Sequence, residues 1–158
     1  MSTIADYQGR KFDILAFQPK SATSELAQTI AGDSSGGLIC VGVQKLAQRW
    51  VLEFLTPAGS IPYKTDRGSS FIPDILSGVI RTDSDVAAFF SMASSQIKTT
   101  LTNEDALTDP DDEKFASVNL DGFSFSAGGK LILQVSIYSV AGTSREVILP
   151  ISVTAGLV

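Results

Sequence analysis

The chain of 158 residues contains no histidine. Histidine titrates nearest neutral pH and is the commonest metal ligand. Without it, Ser-His-Asp and Cys-His mechanisms and His-containing zinc sites are excluded. Cysteine occurs once, at Cys40. That removes all-thiolate zinc sites and internal disulfides, and it points to a reducing compartment. Charge is scarce as well: 12 Lys+Arg and 17 Asp+Glu make up 18% of the residues, with a formal net charge of −5. The bases are scattered from Arg10 to Arg145 with no cluster for phosphates, so no nucleic-acid partner is expected. No apolar run reaches the roughly 20 residues of a membrane helix. The opening Met-Ser-Thr-Ile-Ala-Asp lacks a signal-peptide pattern. Neither a membrane partner nor a cofactor is expected.

What is present is apolar. The hydrophobic share is 44% and the mean hydropathy +0.20, which suggests that some apolar surface is covered by other chains. The length fits a single domain over 1–158. Residues 1–37 would hold an N-terminal strand, a short helix and a Gly/Ser loop. The strand is expected over 10–17, where Phe12, Ile14 and Ala16 alternate, and Pro19 stops it. The helix is expected over Ser21–Ala31, from Leu26 and Ile30 four apart. Residues 38–102 would form a helical half. Ile39, Val43, Leu46, Trp50 and Phe54 recur at helical spacing, predicting a long helix over 38–55 that ends at Thr56-Pro57. A loop over 60–78 has room for a helical turn around Ile75–Leu76. A second long helix over 83–101 carries Val86, Phe89, Phe90, Ala93, Ile97 and Leu101 on one stripe, with Thr82 or Asp83 as cap and Asp85 suited to the helix dipole.

Residues 115–153 read as a β-meander. Val118 and Leu120 alternate in one register, Phe123 and Phe125 in the other, and the change at Asp121-Gly122 predicts a bulge. Ala127-Gly-Gly129 and Ala141-Gly142-Thr-Ser144 are turns. Leu131, Leu133, Val135 and Ile137 alternate strictly, as do Val147, Leu149, Ile151 and Val153. The expected fold class is α+β, with an N-terminal strand and helices packed on a C-terminal three-stranded antiparallel meander.

Three patterns imitate chemistry. Gly32-Asp-Ser34-Ser-Gly36 matches the nucleophile-elbow pattern, but the required base is missing from the chain, and the segment reads as a loop. Asp109-Pro-Asp111-Asp-Glu113 imitates a calcium loop, yet Lys114 stands where glycine is needed, so a solvated acidic connection is expected. Glu25, Glu53 and Glu104 could pair as glycosidase carboxylates, although nothing in the sequence brings them together. Cys40, Trp50 and Phe89-Phe90 read as core. No catalytic or metal residue is assigned.

The final strand has a different character. No charge comes after Glu146, and none lies between Lys130 and Arg145. Ile132, Tyr138, Val140 and Ile148 place apolar groups on the second face of the meander. Two arrangements satisfy this: an internal strand buried on both faces, or an edge that pairs with a strand of another chain. Pro150 lacks a donor and leaves one side locally unpaired.

The order of elements resembles the small baseplate wedge, or sheath-initiator, proteins of contractile phage tails. The matching residues are Leu55-Thr56-Pro57-Ala58-Gly59, Arg67-Gly68-Ser-Ser-Phe71, Phe89–Leu101 and the meander from Phe115 to Val153, with Gly129-Lys-Leu131 opening its central strand. The likeness spans about residues 38–153. Where the family carries Glu-Pro-Arg, this chain reads Asp112-Glu113-Lys114-Phe115, with Pro110 displaced upstream. The resemblance implies a non-enzymatic virion protein of the tail baseplate, assembled in the host cytoplasm. Its partners would be the tail sheath protein, other wedge proteins and the tail tube, with several copies in a ring. It implies strand exchange with the sheath through Arg145, Val147, Leu149, Ile151 and Val153, and wedge contacts through Glu113 and Lys114. A tail-completion or neck adaptor protein and a carboxylate-based muramidase are the alternatives.

Overall fold

The computed structural model describes residues 10–11, 13–15, 17–19, 26–28, 39–126 and 129–152. Its elements are β1 (Asp13–Ile14), β2 (Phe17–Pro19), β3 (Leu26–Gln28), β4 (Ile39–Cys40), α1 (Gly42–Leu55), α2 (Phe71–Leu76), α3 (Asp83–Glu104), β5 (Phe115–Ser126), β6 (Lys130–Ser139) and β7 (Ser144–Ser152). The last three form an antiparallel sheet in the order β5-β6-β7. The helices cover one face of it, which is the α+β layout expected.

The alternation of β6 explains the layering. Leu131, Leu133, Val135 and Ile137 are fully buried on one face. Val147, Leu149 and Ile151 of β7 lie opposite Val135, Leu133 and Leu131 and are buried on the same side. α1 packs over β6 and β7, and α3 over β5. Trp50 stacks on Phe54 at 4.8 Å, and Phe54 contacts Phe71 and Phe90. Burying each of these large side chains contributes about 2 kcal/mol, so this aromatic cluster holds the three helices together.

The β5 register changes between Leu120 and Gly122, as the sequence predicts. The extra residue there lets Val118, Leu120 and Phe123 all face the helices across from Ile137, Val135 and Leu133. A second irregularity, between Phe115 and Ser117, has no signal in the sequence.

The N-terminal third departs from expectation. Leu26–Gln28 is a strand paired with Phe17–Pro19, not part of a helix. Two apolar residues four apart are a weak helix signal, because a short helix needs a packed face to persist. Pro19 lies inside β2 rather than ending the strand before it. Ile14 is 69% exposed, while Phe12 and Ala16 of the expected alternation lie outside the described residues. α1 starts at Gly42, not 38, because Ile39–Cys40 pairs with Asp13–Ile14. Cys40 is buried, as expected, but on a strand. The helical turn near Ile75 extends over Phe71–Leu76, and α3 runs on past 101 to Glu104.

Candidate functional site

A polar ridge on α1 organises the loops. Lys45, Arg49 and Glu53 are spaced by four and share one helix face beside the apolar stripe. Together they reach three connecting segments of the chain. Lys45 Nζ lies 2.7 Å from Glu113 Oε2. Arg49 Nη1 lies 3.0 Å from Asp105 Oδ1 and also donates to the Glu113 carbonyl. Glu53 ion-pairs with Arg67 and accepts from the Gly68 amide at 2.9 Å. Arg67 in turn holds Glu104.

α1 has no capping side chain of its own at Val41. Glu113 supplies one from a distance: its Oε1 accepts the Gly42 amide at 3.1 Å. A carboxylate there satisfies an orphan donor and complements the positive end of the helix dipole. Arg10 adds ion pairs to Asp112 at 2.8 Å and Glu113 at 3.8 Å. Gly42 has φ +63°, a left-handed backbone that favours glycine, and a Cβ there would stand 2.8 Å from Asp112 Oδ2 and press on that side chain. Asp105 Oδ2 accepts the Phe115 amide at 2.9 Å, which anchors the start of β5. The connection over 103–113 is therefore not simply a solvated acidic loop: its carboxylates Asp105, Asp112 and Glu113 are paired with bases from α1 and the N-terminal segment.

Two of the sequence segments singled out above, 55–59 and 67–71, meet in space. Ser69 donates its amide to the Thr56 carbonyl, and Ala58 donates to the Ser69 carbonyl, both at 2.9 Å. Gly68 has φ +91°, and a Cβ would come within 2.5 Å of the Thr56 oxygen. Phe71, fully buried, comes directly after this turn.

Most of the residues singled out in the sequence fall within the described part of the structure. Glu113 is buried and internally occupied, so its side chain offers no surface. Lys114 pairs with Asp111 at 3.0 Å. Glu53 and Glu104 both hold Arg67, which places a guanidinium between them where a glycosidic bond would have to lie. Glu25 and the Gly32–Gly36 segment lie outside the described residues, as does Val153. Val147, Leu149 and Ile151 spend their side chains in the core, and Arg145 shares their face. What β7 has left for a neighbour is its backbone edge and the outward Glu146, Ile148 and Pro150. Cys40 is shielded: burial, and secondarily the Asp13 carboxylate, push its thiol up to about 11, so it is a poor nucleophile.

β6 is central, and among the described residues β5 and β7 pair on one side only. A groove of about 840 Å³ runs between α3 and β5. Phe90, Ser94 and Lys98 line it from the helix, and Val118, Leu120 and Phe123 from the strand. Sequence reasoning missed this groove and the Arg49 and Arg67 pairs. The i, i+4, i+8 charges on α1 were the available signal, but their partners lie up to 68 positions away. In comparisons with known proteins, no family model, no curated protein and no solved structure matches the chain.

Proposed function

We propose that this chain is a non-enzymatic structural subunit of a contractile tail baseplate that anchors the first sheath ring around the tail tube. Its sheet joins strands of neighbouring chains. The observation that carries this reading is a three-stranded sheet with unpaired backbone along both outer strands among the described residues, because a sheet edge is a template for strand addition. Three further points support it. The resembling motifs Thr56-Pro57 and Gly68-Ser69 pack against each other as one local unit. The chain has no histidine. Its two candidate carboxylates in the described region are tied to one arginine.

In this reading the β7 edge contacts the sheath through its backbone, and the outward face of 145–152 sets the fit. Other wedge proteins and the tube meet the remaining surface within the virion. The test is assembly in solution of the tail sheath protein on purified tubes, with and without the chain. Shorter lag and sheath anchored at one end of the tube are expected when the chain is added. Identical assembly in its absence would overturn the proposal.

A further inference from the structure

We propose that the Tyr63 loop of one copy of this chain docks in the groove between α3 and β5 of a second copy. The Lys64 amide donates to the Ile61 carbonyl at 3.2 Å, which closes a turn with Pro62 and Tyr63 at its two central positions. Tyr63 has φ +72° and is the one non-glycine residue with positive φ among the described residues. Proline followed by a left-handed residue marks a type II turn, where glycine is the ordinary occupant. A bulky side chain there strains the backbone. Tyr63 is also fully exposed, so no contact among the described residues offsets that strain. Neighbouring bonds fix the tip: Arg67 donates its amide to the Lys64 carbonyl at 3.2 Å, and Gly59 donates to the Arg67 carbonyl at 3.4 Å. A rigidly held, exposed tyrosine is the kind of anchor that fills a partner's pocket.

The groove of about 840 Å³ has the chemistry to receive it. Val118, Leu120 and Phe123 line it and are only half-buried, whereas their cross-strand partners Ile137, Val135 and Leu133 are fully buried. An aromatic ring laid over them would complete their burial. The hydroxyl of Ser94, on the groove wall, has no hydrogen-bond partner among the described residues. The Tyr63 phenol can donate and accept, and would supply one. Charges match as well. Lys98 and Asp121 are the one base and the one acid among the described lining residues, and the loop brings Lys64 and Asp66, one of each sign, beside Tyr63.

Within one chain the two surfaces do not meet. Asp66 shares a cleft with Gln96, Thr100 and Asn103 of α3. Successive residues turn by about 100° around a helix. Those three therefore stand on the flank opposite Ser91, Ser94 and Lys98, which line the groove. The body of α3 separates loop from groove. Donor and acceptor are different surfaces, so the contact is head-to-tail and builds a ring if the rotation closes.

The test is sedimentation of the full chain over a concentration series, alone and with two variants. Tyr63→Gly removes the anchor and relieves the backbone, so its melting temperature in dilute solution is expected to rise by about 2 °C. Ser91→Arg, at an exposed position of α3, fills the groove; circular dichroism matching the parent establishes its fold. The parent is expected to associate beyond a dimer. Each variant alone should associate roughly 30-fold more weakly, the loss of one interface anchor. An equimolar mixture of the two should regain a dimer, since one intact loop and one intact groove remain. A parent that is monomeric at every concentration overturns the proposal. So does undiminished association of Tyr63→Gly, or a mixture no tighter than its components. A lower melting temperature for Tyr63→Gly also overturns it, because Tyr63 would then serve the fold of its own chain. None of these outcomes involves the sheath protein, so failure here leaves the sheath reading standing.

Discussion

Glu113 stands 71 positions from Gly42 in the chain and 3.1 Å from its amide in the fold. One carboxylate there caps α1, pairs with Lys45 and lies beside Arg10. Removing one partner of a buried pair leaves the other uncompensated, which costs about 3 kcal/mol. Glu113→Ala is therefore expected to lose about that much in urea unfolding, with the slope against urea unchanged. Glu113→Gln keeps an acceptor for the Gly42 amide and loses only the charge, so its loss should be smaller. Equal stability of Glu113→Ala and the parent would contradict the capping role. The sequence showed an acid at 113 and a base at 45. It did not show that they meet, because charge pairing across a loop closure has no local signature.

Among the elements, α3 is the most legible. Its apolar stripe, its Thr82 cap and its acidic first turn can all be read locally, and the structure adds the reciprocal bond that makes a capping box. Asp85 accepts the backbone amides of Arg81 and Thr82 at 3.0 and 2.8 Å. Those bonds, Arg81's first, hold its carboxyl below the ordinary 3.8. A carboxyl with a depressed folded value stabilises the fold above its unfolded value, and that stability is lost as pH falls through the folded value. Melting temperature should therefore drop in acid more steeply for the parent than for Asp85→Asn, whose acceptor does not titrate. Parallel curves would refute this. By contrast, the expected helix over Ser21–Ala31 gave way to the strand Leu26–Gln28, because a weak local preference yields to pairing with β2. Similarly, α1 starts late because β4 claims Ile39 and Cys40 for β1.

The sheet and helices of the molecule as a whole share one apolar cluster. Val147, Leu149 and Ile151 contribute to it from β7, about 2 kcal/mol each by burial. Their sum of about 6 kcal/mol is comparable with the whole stability of a domain. Deleting residues 145–158 is accordingly expected to abolish cooperative thermal unfolding, rather than to yield a folded chain with a missing contact. A deleted chain that still melts cooperatively would show that β7 is dispensable to the core. Among the described residues, β7 is internal through Val147, Leu149 and Ile151 and pairs on one side only through its backbone.

By itself the sequence determined the α+β class, the two long helices, the meander, the bulge at Asp121-Gly122 and the absence of histidine-based chemistry. These depend on periodicity, turn residues and composition, which act over a few positions. Only the tertiary structure decided that Glu113 caps α1 and that Arg67 joins Glu53 to Glu104. Those depend on distances between residues far apart in the chain, and such distances exist only once the helices have closed over the sheet.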